Sequence, residues 1–272
     1  MERVRLAGVK REIPWRWGIL LAVLLLLIGW LFNTPEGWLG KADAVGYAVC
    51  HRIDLRSFHL GNRALPLCAR CTGMYLGAVV GLVYQAVVGR RRTGMPNWPV
   101  IVMLVSLVGL FAMDGGNSFL ALLLGDGLLY PPNNTLRLFT GTGMGLVIAS
   151  ALAPAFNQTI WRDAPDAPVI SGVQSFLGMV GLGVLVDWLV LSGNPWVLYP
   201  LALLSAAGVL VVLTILYTMV VVMAARKENI YNRVKELFIP LAAGFGIGLT
   251  QIVIIDILRF LFTGSWDGFH FG

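Results

Sequence analysis

Residues 197–224 read VLYPLALLSAAGVLVVLTILYTMVVVMA, a run of 28 positions without one Asp, Glu, Lys, Arg or His. About 20 apolar residues suffice for a helix to cross the hydrocarbon core of a bilayer. The apolar positions are continuous rather than alternating, which argues against a barrel strand. In lipid every backbone group must be satisfied within the segment, so this stretch reads as a transmembrane helix.

Six further stretches carry the same pattern, at about 16–32, 73–89, 98–124, 136–153, 169–191 and 237–262. Charged residues make up 12% of the chain, about half the share of an ordinary soluble domain. The expected fold is all-α, a polytopic transmembrane helical bundle of seven spans. Basic residues precede the first span, but no small-x-small cleavage site follows Phe32, so it is expected to be a retained anchor. Three units are expected: an N-terminal anchor helix over 1–44, a membrane core over 45–155, and a three-span extension over 156–272.

Arg3, Arg5, Lys10, Arg11 and Arg16, then Arg90, Arg91 and Arg92, Arg162, and finally Arg226, Lys227, Arg233 and Lys235 fall on one side of this arrangement. They are 13 of the 20 basic residues. The positive-inside rule makes that side cytoplasmic and leaves loop 33–72 outside. The net charge of +6 thus reports topology and contact with anionic lipid. No aromatic-interleaved basic surface exists, so nucleic acid is excluded as a partner. Expected partners are membrane lipids, and a larger membrane complex or a second copy.

Loop 33–72 holds all three cysteines and, in His51 and His59, two of the three histidines. His270 reads as part of a solvated tail. Cys68 and Cys71 form a Cys-x-x-Cys half-site, and Cys50 adds a third sulfur. With His51, or His59 in its place, they make a Cys3His set suited to zinc. A disulfide is the plain alternative in an oxidising compartment. Thiol–disulfide exchange is the third, with Cys68 and Cys71 passing electrons to a quinone.

Ionisable residues within spans are costly and point to function. Asp114, Asp187 and Asp256 fall in the outer half of their spans, with Asp126 near the end of the third. Asp256 is expected to pair with Arg259 three residues on. Gly115 and Gly116 are expected to loosen the helix after Asp114. Arg137 and Asn134 open the fourth span from the same side as the cysteines. Arg56, Arg70, Asn134 and Arg137 therefore suggest an anion site at two helix N-termini, with Asp114 as general base and Arg137 as its catalytic partner. Gly73, Gly77 and Gly81, Gly141 and Gly145, and Gly244 and Gly248 mark helix contact faces. Arg70-Cys71-Thr72-Gly73 followed by Gly77 also echoes Arg137-x-x-Thr140-Gly141 followed by Gly145.

Residues 45–150 resemble an uncharacterised integral-membrane family of bacteria and archaea. Cys50-His51, Arg56-Ser57-Phe58, Pro66-x-Cys68-Ala69-Arg70-Cys71-Thr72-Gly73, Asp114-Gly115 and Asn134-x-x-Arg137-x-x-Thr140-Gly141 carry the likeness. The resemblance implies a prokaryotic cytoplasmic (inner) membrane and one site shared by Asp114, Arg137 and the cysteines; it implies no reaction. The leading expectation is a membrane-embedded metal-dependent enzyme acting on a lipid or anionic small molecule. A complex subunit with a structural zinc, a thiol–disulfide oxidoreductase and a transporter are the alternatives. Alkaline phosphatase fused after Gly61 or Asn194 should be active in cells, and inactive when fused after Gly94 or Asn229; the opposite pattern would reverse the topology.

Overall fold

The computed structural model describes residues 14–125 and 127–267. Arg3, Arg5, Lys10, Arg11, Asp126 and His270 lie outside the described residues. The helices are α1 (Pro14–Asn33), α2 (Gly37–Val49), α3 (Ala69–Val88), α4 (Trp98–Leu124), α5 (Asn134–Ile160), α6 (Val173–Leu191), α7 (Pro195–Ala224) and α8 (Phe238–Thr263). All except α2 belong to segments long and apolar enough to span a membrane. The chain is thus an all-α polytopic bundle with seven candidate spans. A two-stranded antiparallel hairpin, β1 (His59–Leu60) and β2 (Arg63–Ala64), precedes α3.

Several boundaries differ from the sequence expectation, each for a local reason. α3 starts at Ala69 with Cys68 as its N-cap, which places Cys71 in the first turn. α5 starts where the Asn133 side chain accepts from the Leu136 N–H at 2.9 Å. It continues through Pro154 to Ile160. Neighbouring helices in a bundle tolerate the one backbone bond a proline removes. α6 starts late because residues 167–169 pair with the 89–97 connection: the Gly94 N–H donates to Ala167 at 2.9 Å and the Val169 N–H to Gly94 at 3.2 Å. α4 runs unbroken through Gly115 and Gly116, contrary to the expected loosening. The cost of two glycines in a helix is smaller than that of unpaired backbone in lipid.

The expected unit boundaries at 44/45 and 155/156 fall inside α2 and α5. α2 belongs to what reads in sequence as a polar loop. Its 13 residues reach about 20 Å, too short to span. Seven of them, including Asp43 and Tyr47, are buried. It packs against α7 and α8, and the Tyr47 hydroxyl bonds Thr263 at 2.7 Å and the Ser265 carbonyl at 2.9 Å.

α3 and α5 run side by side in the same direction at the centre and make the most extensive helix contact. Glycines on both helices allow it. A methyl on Gly73 would strike the Leu138 carbonyl, and one on Gly77 the Thr142 carbonyl. Reciprocally, a methyl on Gly141 would strike the Arg70 carbonyl, and one on Gly145 the Met74 carbonyl. The two echoing motifs are therefore the two halves of one helix contact. α4 and α6 lie against α5, α7 against α3, α8 against α7, and α1 against α8.

Gly141→Leu should destabilise the protein by about 3 kcal/mol, the upper range for forced overpacking. Gly109→Leu, on α4 with open space around it, should have little effect. Unfolding in mixed detergent micelles measures both.

Candidate metal centre and arginine cluster

Cys50 is the C-cap of α2, Cys68 the N-cap of α3, and Cys71 lies one turn into α3. Packing of α2 on α7 and α8 thus delivers one sulfur, and the start of α3 delivers two. The three sulfurs lie within 4.8 Å of one another. All three thiols are free; Cys50 and Cys68 are buried and Cys71 half-buried. Backbone N–H groups of Cys68, at 3.4 Å, and Arg52, at 3.5 Å, donate to the Cys50 sulfur. Arg52 makes this approach from the left-handed region, with φ of 52°.

Hydrogen bonds from the Cys68 and Cys71 thiols hold Cys50 well below its ordinary value. Cys68 is pushed up to about 12, because its proton is held by the Cys50 sulfur and because it is buried. The set therefore presents one thiolate readily. Three sulfurs on one zinc ion sit about 3.8 Å apart, given bonds of about 2.3 Å. The triangle fits that ion with a closure of an ångström or less.

Neither histidine joins the three sulfurs as a fourth ligand in the described residues. The Ile53 N–H donates to His51 Nδ1 at 3.0 Å. An N–H in that place requires a lone pair on Nδ1, so the neutral ring carries its proton on Nε2. A ligating histidine does the reverse, donating from its second nitrogen. Burial lowers the His51 pKa; Cys50 opposes this, and Arg56, Arg137 and Arg70 reinforce it. The ring is thus a neutral Nε2–H donor on which the charges of Cys50 and of the arginines both act. His59, on β1, faces away into a 3.0 Å pair with Asp54, whose side chain is largely exposed.

Asp114, 1% exposed, organises the arginines. One carboxylate oxygen pairs with Arg70 and accepts from Thr140 at 3.2 Å; the other accepts from the Tyr130 hydroxyl at 3.0 Å. Arg70 also donates to the Asp114 carbonyl at 3.1 Å and to Ser118 Oγ at 3.0 Å. Both oxygens of Asp114 are thus engaged, by Arg70 and Thr140 on one side and Tyr130 on the other. Burial and the bond to Asp114 push the Tyr130 phenol up, so it remains a donor. Asn117 holds the same loop, donating to the Tyr130 carbonyl and accepting from the Leu129 N–H, both at 2.9 Å.

Among the described residues Arg56 and Arg137 have only neutral hydrogen-bond partners. Arg56 donates to the Ser118 carbonyl at 3.2 Å, and Arg137 to Asn134 Oδ1 at 2.9 Å. Asn134 in turn reaches the Leu55 and Ser57 carbonyls at 3.3 Å. Among the described residues neither guanidinium has a carboxylate partner. Arg137 is 6% exposed, and its Nε–H is unpartnered. Burial, then the charge of Arg70, lowers the Arg56 pKa, while Cys68 opposes the shift.

The other intramembrane groups stand apart from this cluster. Asp187 accepts from Thr142 at 2.6 Å in the α5–α6 contact. Arg259 donates to the Tyr47 and Cys50 carbonyls at 2.6 and 2.7 Å and stacks on the Tyr47 ring, while its charge also acts on Asp256. Those are the last carbonyls of α2, which want a cation. The sequence reading also misses Asp43, which pairs with Arg52 at 2.8 Å and with Arg63, and it misses Tyr130, Ser118 and Thr140. Ser118 had a signal, one helical turn beyond Asp114, and Thr140 stood in the Arg137-x-x-Thr140-Gly141 motif.

Residues 50–151 match the model of a family described as "Predicted membrane protein (DUF2085)". The chain is 29% identical over 121 residues to an uncharacterized protein of Methanocaldococcus jannaschii, covering 44% of this chain and 70% of that one. It is 30% identical over 101 residues to an uncharacterized protein of Methanothermobacter thermautotrophicus, covering 37% of this chain and 81% of that one. No solved structure matches. The matched segment contains the three cysteines, His51, Asp114 and the arginines 56, 70 and 137, and excludes α6–α8.

Asp114→Leu, which leaves Arg70 charged and unpaired, should cost about 3–5 kcal/mol of stability. Adding Arg70→Met should restore most of that loss in the same unfolding assay. A double variant no better than the single one would remove the pair from its organising role.

Proposed function

The chain belongs to the predicted membrane protein family DUF2085, and on that footing we propose that it is a zinc-dependent membrane enzyme acting on an anionic group at the extracytoplasmic face. The juxtaposition of the sulfur triangle with two guanidiniums lacking carboxylate partners carries this reading. His51 joins the two halves, since it feels the charges of Cys50 and of Arg56, Arg137 and Arg70 together.

Charge accounting supports an anion. Arg70 and Asp114 cancel. A zinc ion on three thiolates is −1, and Arg56 with Arg137 is +2, so the site retains +1. Buried cations without counter-charge are costly, and an anionic ligand offsets that cost. Cys50, Cys68 and Cys71 would hold a zinc ion, which would supply Lewis-acid activation of an oxygen of the anion. Arg56 and Arg137 hold the anion's oxygens, and His51 donates from Nε2. Asn134 orients Arg137, and Asp114 fixes Arg70 beside them. The group bound is a phosphate- or carboxylate-bearing lipid headgroup, or a free anion of the same chemistry. The bias of basic residues toward the other membrane face supports the extracytoplasmic placement.

Elemental analysis of purified protein should find about one zinc per chain, lost in Cys50→Ser, Cys68→Ser and Cys71→Ser and kept in His51→Gln and His59→Gln. Calorimetry with inorganic phosphate, and with phosphatidic acid in nanodiscs, should show which source binds. Arg137→Ala should weaken that binding roughly 10–100-fold, the worth of a charge-assisted hydrogen bond. Metal-free protein whose Cys68 and Cys71 oxidise on adding a quinone would overturn the zinc reading in favour of thiol exchange. Loss of zinc in His51→Gln would mean a closed, structural site.

A further inference from the structure

A second site lies outside the family-matched segment, in a groove of about 560 Å³ between α1 and α8. Its walls are lipid-facing aliphatics, among them Leu25, Ile257 and Leu261, with the rings of Trp30, Phe260 and Trp266. Two buried polar groups interrupt this apolar lining. Asp256 is 4% exposed, and neither carboxyl oxygen has a hydrogen-bond partner. Trp30 is 8% exposed, and its indole N–H is likewise without one. The indole faces the carboxyl closely enough to act on it, without closing a well-formed bond.

The charge of Arg259, three residues on, favours the carboxylate, but burial without a hydrogen bond to either oxygen opposes it and makes the protonated acid accessible at this depth. The groove then offers two donors, an O–H and an N–H, converging among aromatic rings. It needs a ligand with an acceptor at one end, a planar ring to stack, and an apolar tail. We infer that the α1–α8 groove binds a quinone-class amphiphile, whose ring carbonyl accepts from Asp256 and Trp30 while its tail leaves between the helices into lipid. The volume suits one ring with its first tail unit. Trp30 belongs to the same core cluster as Cys50 and Cys68, and Trp266 packs against it. The inference concerns binding and stands whether or not the sulfurs hold zinc.

Calorimetry on the full-length protein in nanodiscs, titrated with a short-tailed ubiquinone, tests it. Saturable binding is expected, with Asp256→Leu and Trp30→Phe each weakening it up to about 10-fold, the worth of one neutral hydrogen bond. Asp256→Asn keeps a donor and should bind within about 3-fold of the wild type. Unfolding midpoints of the variants separate lost binding from lost fold. Ubiquinone affinity unchanged by Asp256→Leu and Trp30→Phe would overturn the inference and leave a groove for acyl chains. Tighter binding of an alkyltrimethylammonium probe, abolished in Asp256→Asn, would overturn it in favour of a cation site.

Discussion

The close backbone contact between α3 and α5 is the constraint on which the site depends. Small residues four apart bring two helices near enough for backbone to meet backbone. Because both helices run in the same direction, their N-termini emerge side by side. Arg70 and Cys71 therefore open one helix next to Arg137 and Thr140 on the other. Substituents larger than hydrogen at Gly73, Gly77, Gly141 or Gly145 would separate the helices and the charges with them.

Around that pair the chain manages an excess of positive charge with few acids. Asp114 answers Arg70, and Asp43 answers Arg52 and Arg63. Arg259 is absorbed by the carbonyl end of α2. Among the described residues Arg56 and Arg137 are left with neutral hydrogen-bond partners, and the charge of Cys68 acts on both. Arg52, Arg63 and Arg70 each find a carboxylate and Arg259 a helix end, whereas Arg56 and Arg137 find neither among the described residues. That contrast gives the anion reading its weight.

The legible and illegible parts of the site differ in kind. The spans, the Cys-x-x-Cys spacing and the small-residue ridges are local patterns, and each appears in the structure close to its expected place. The ligand set was harder. His51 beside Cys50 reads as a natural fourth ligand, yet the Ile53 N–H claims its Nδ1 and turns the ring into a donor. Asp114 reads as a base because an acid in a span is conspicuous. Its charge is answered by Arg70 and its oxygens are filled by Tyr130 and Thr140, which are 44, 16 and 26 residues away in the chain. α2 was hidden because its apolar face is short, with Asp43 and Lys41 in its middle; its burial comes from contact with α7 and α8.

By itself the sequence determined the all-α membrane fold, since a run of some 20 apolar residues has one soluble-free solution in lipid. It also determined that three sulfurs and several arginines belong to one stretch of chain and one end of the bundle. Only the tertiary structure decided which of them meet. It drew Cys50 from α2 to the start of α3, left His59 paired with Asp54, and set Asp256 without a hydrogen bond against the α1–α8 groove. These are decisions of hydrogen-bond geometry and helix contact between residues distant in the chain, which no local pattern encodes.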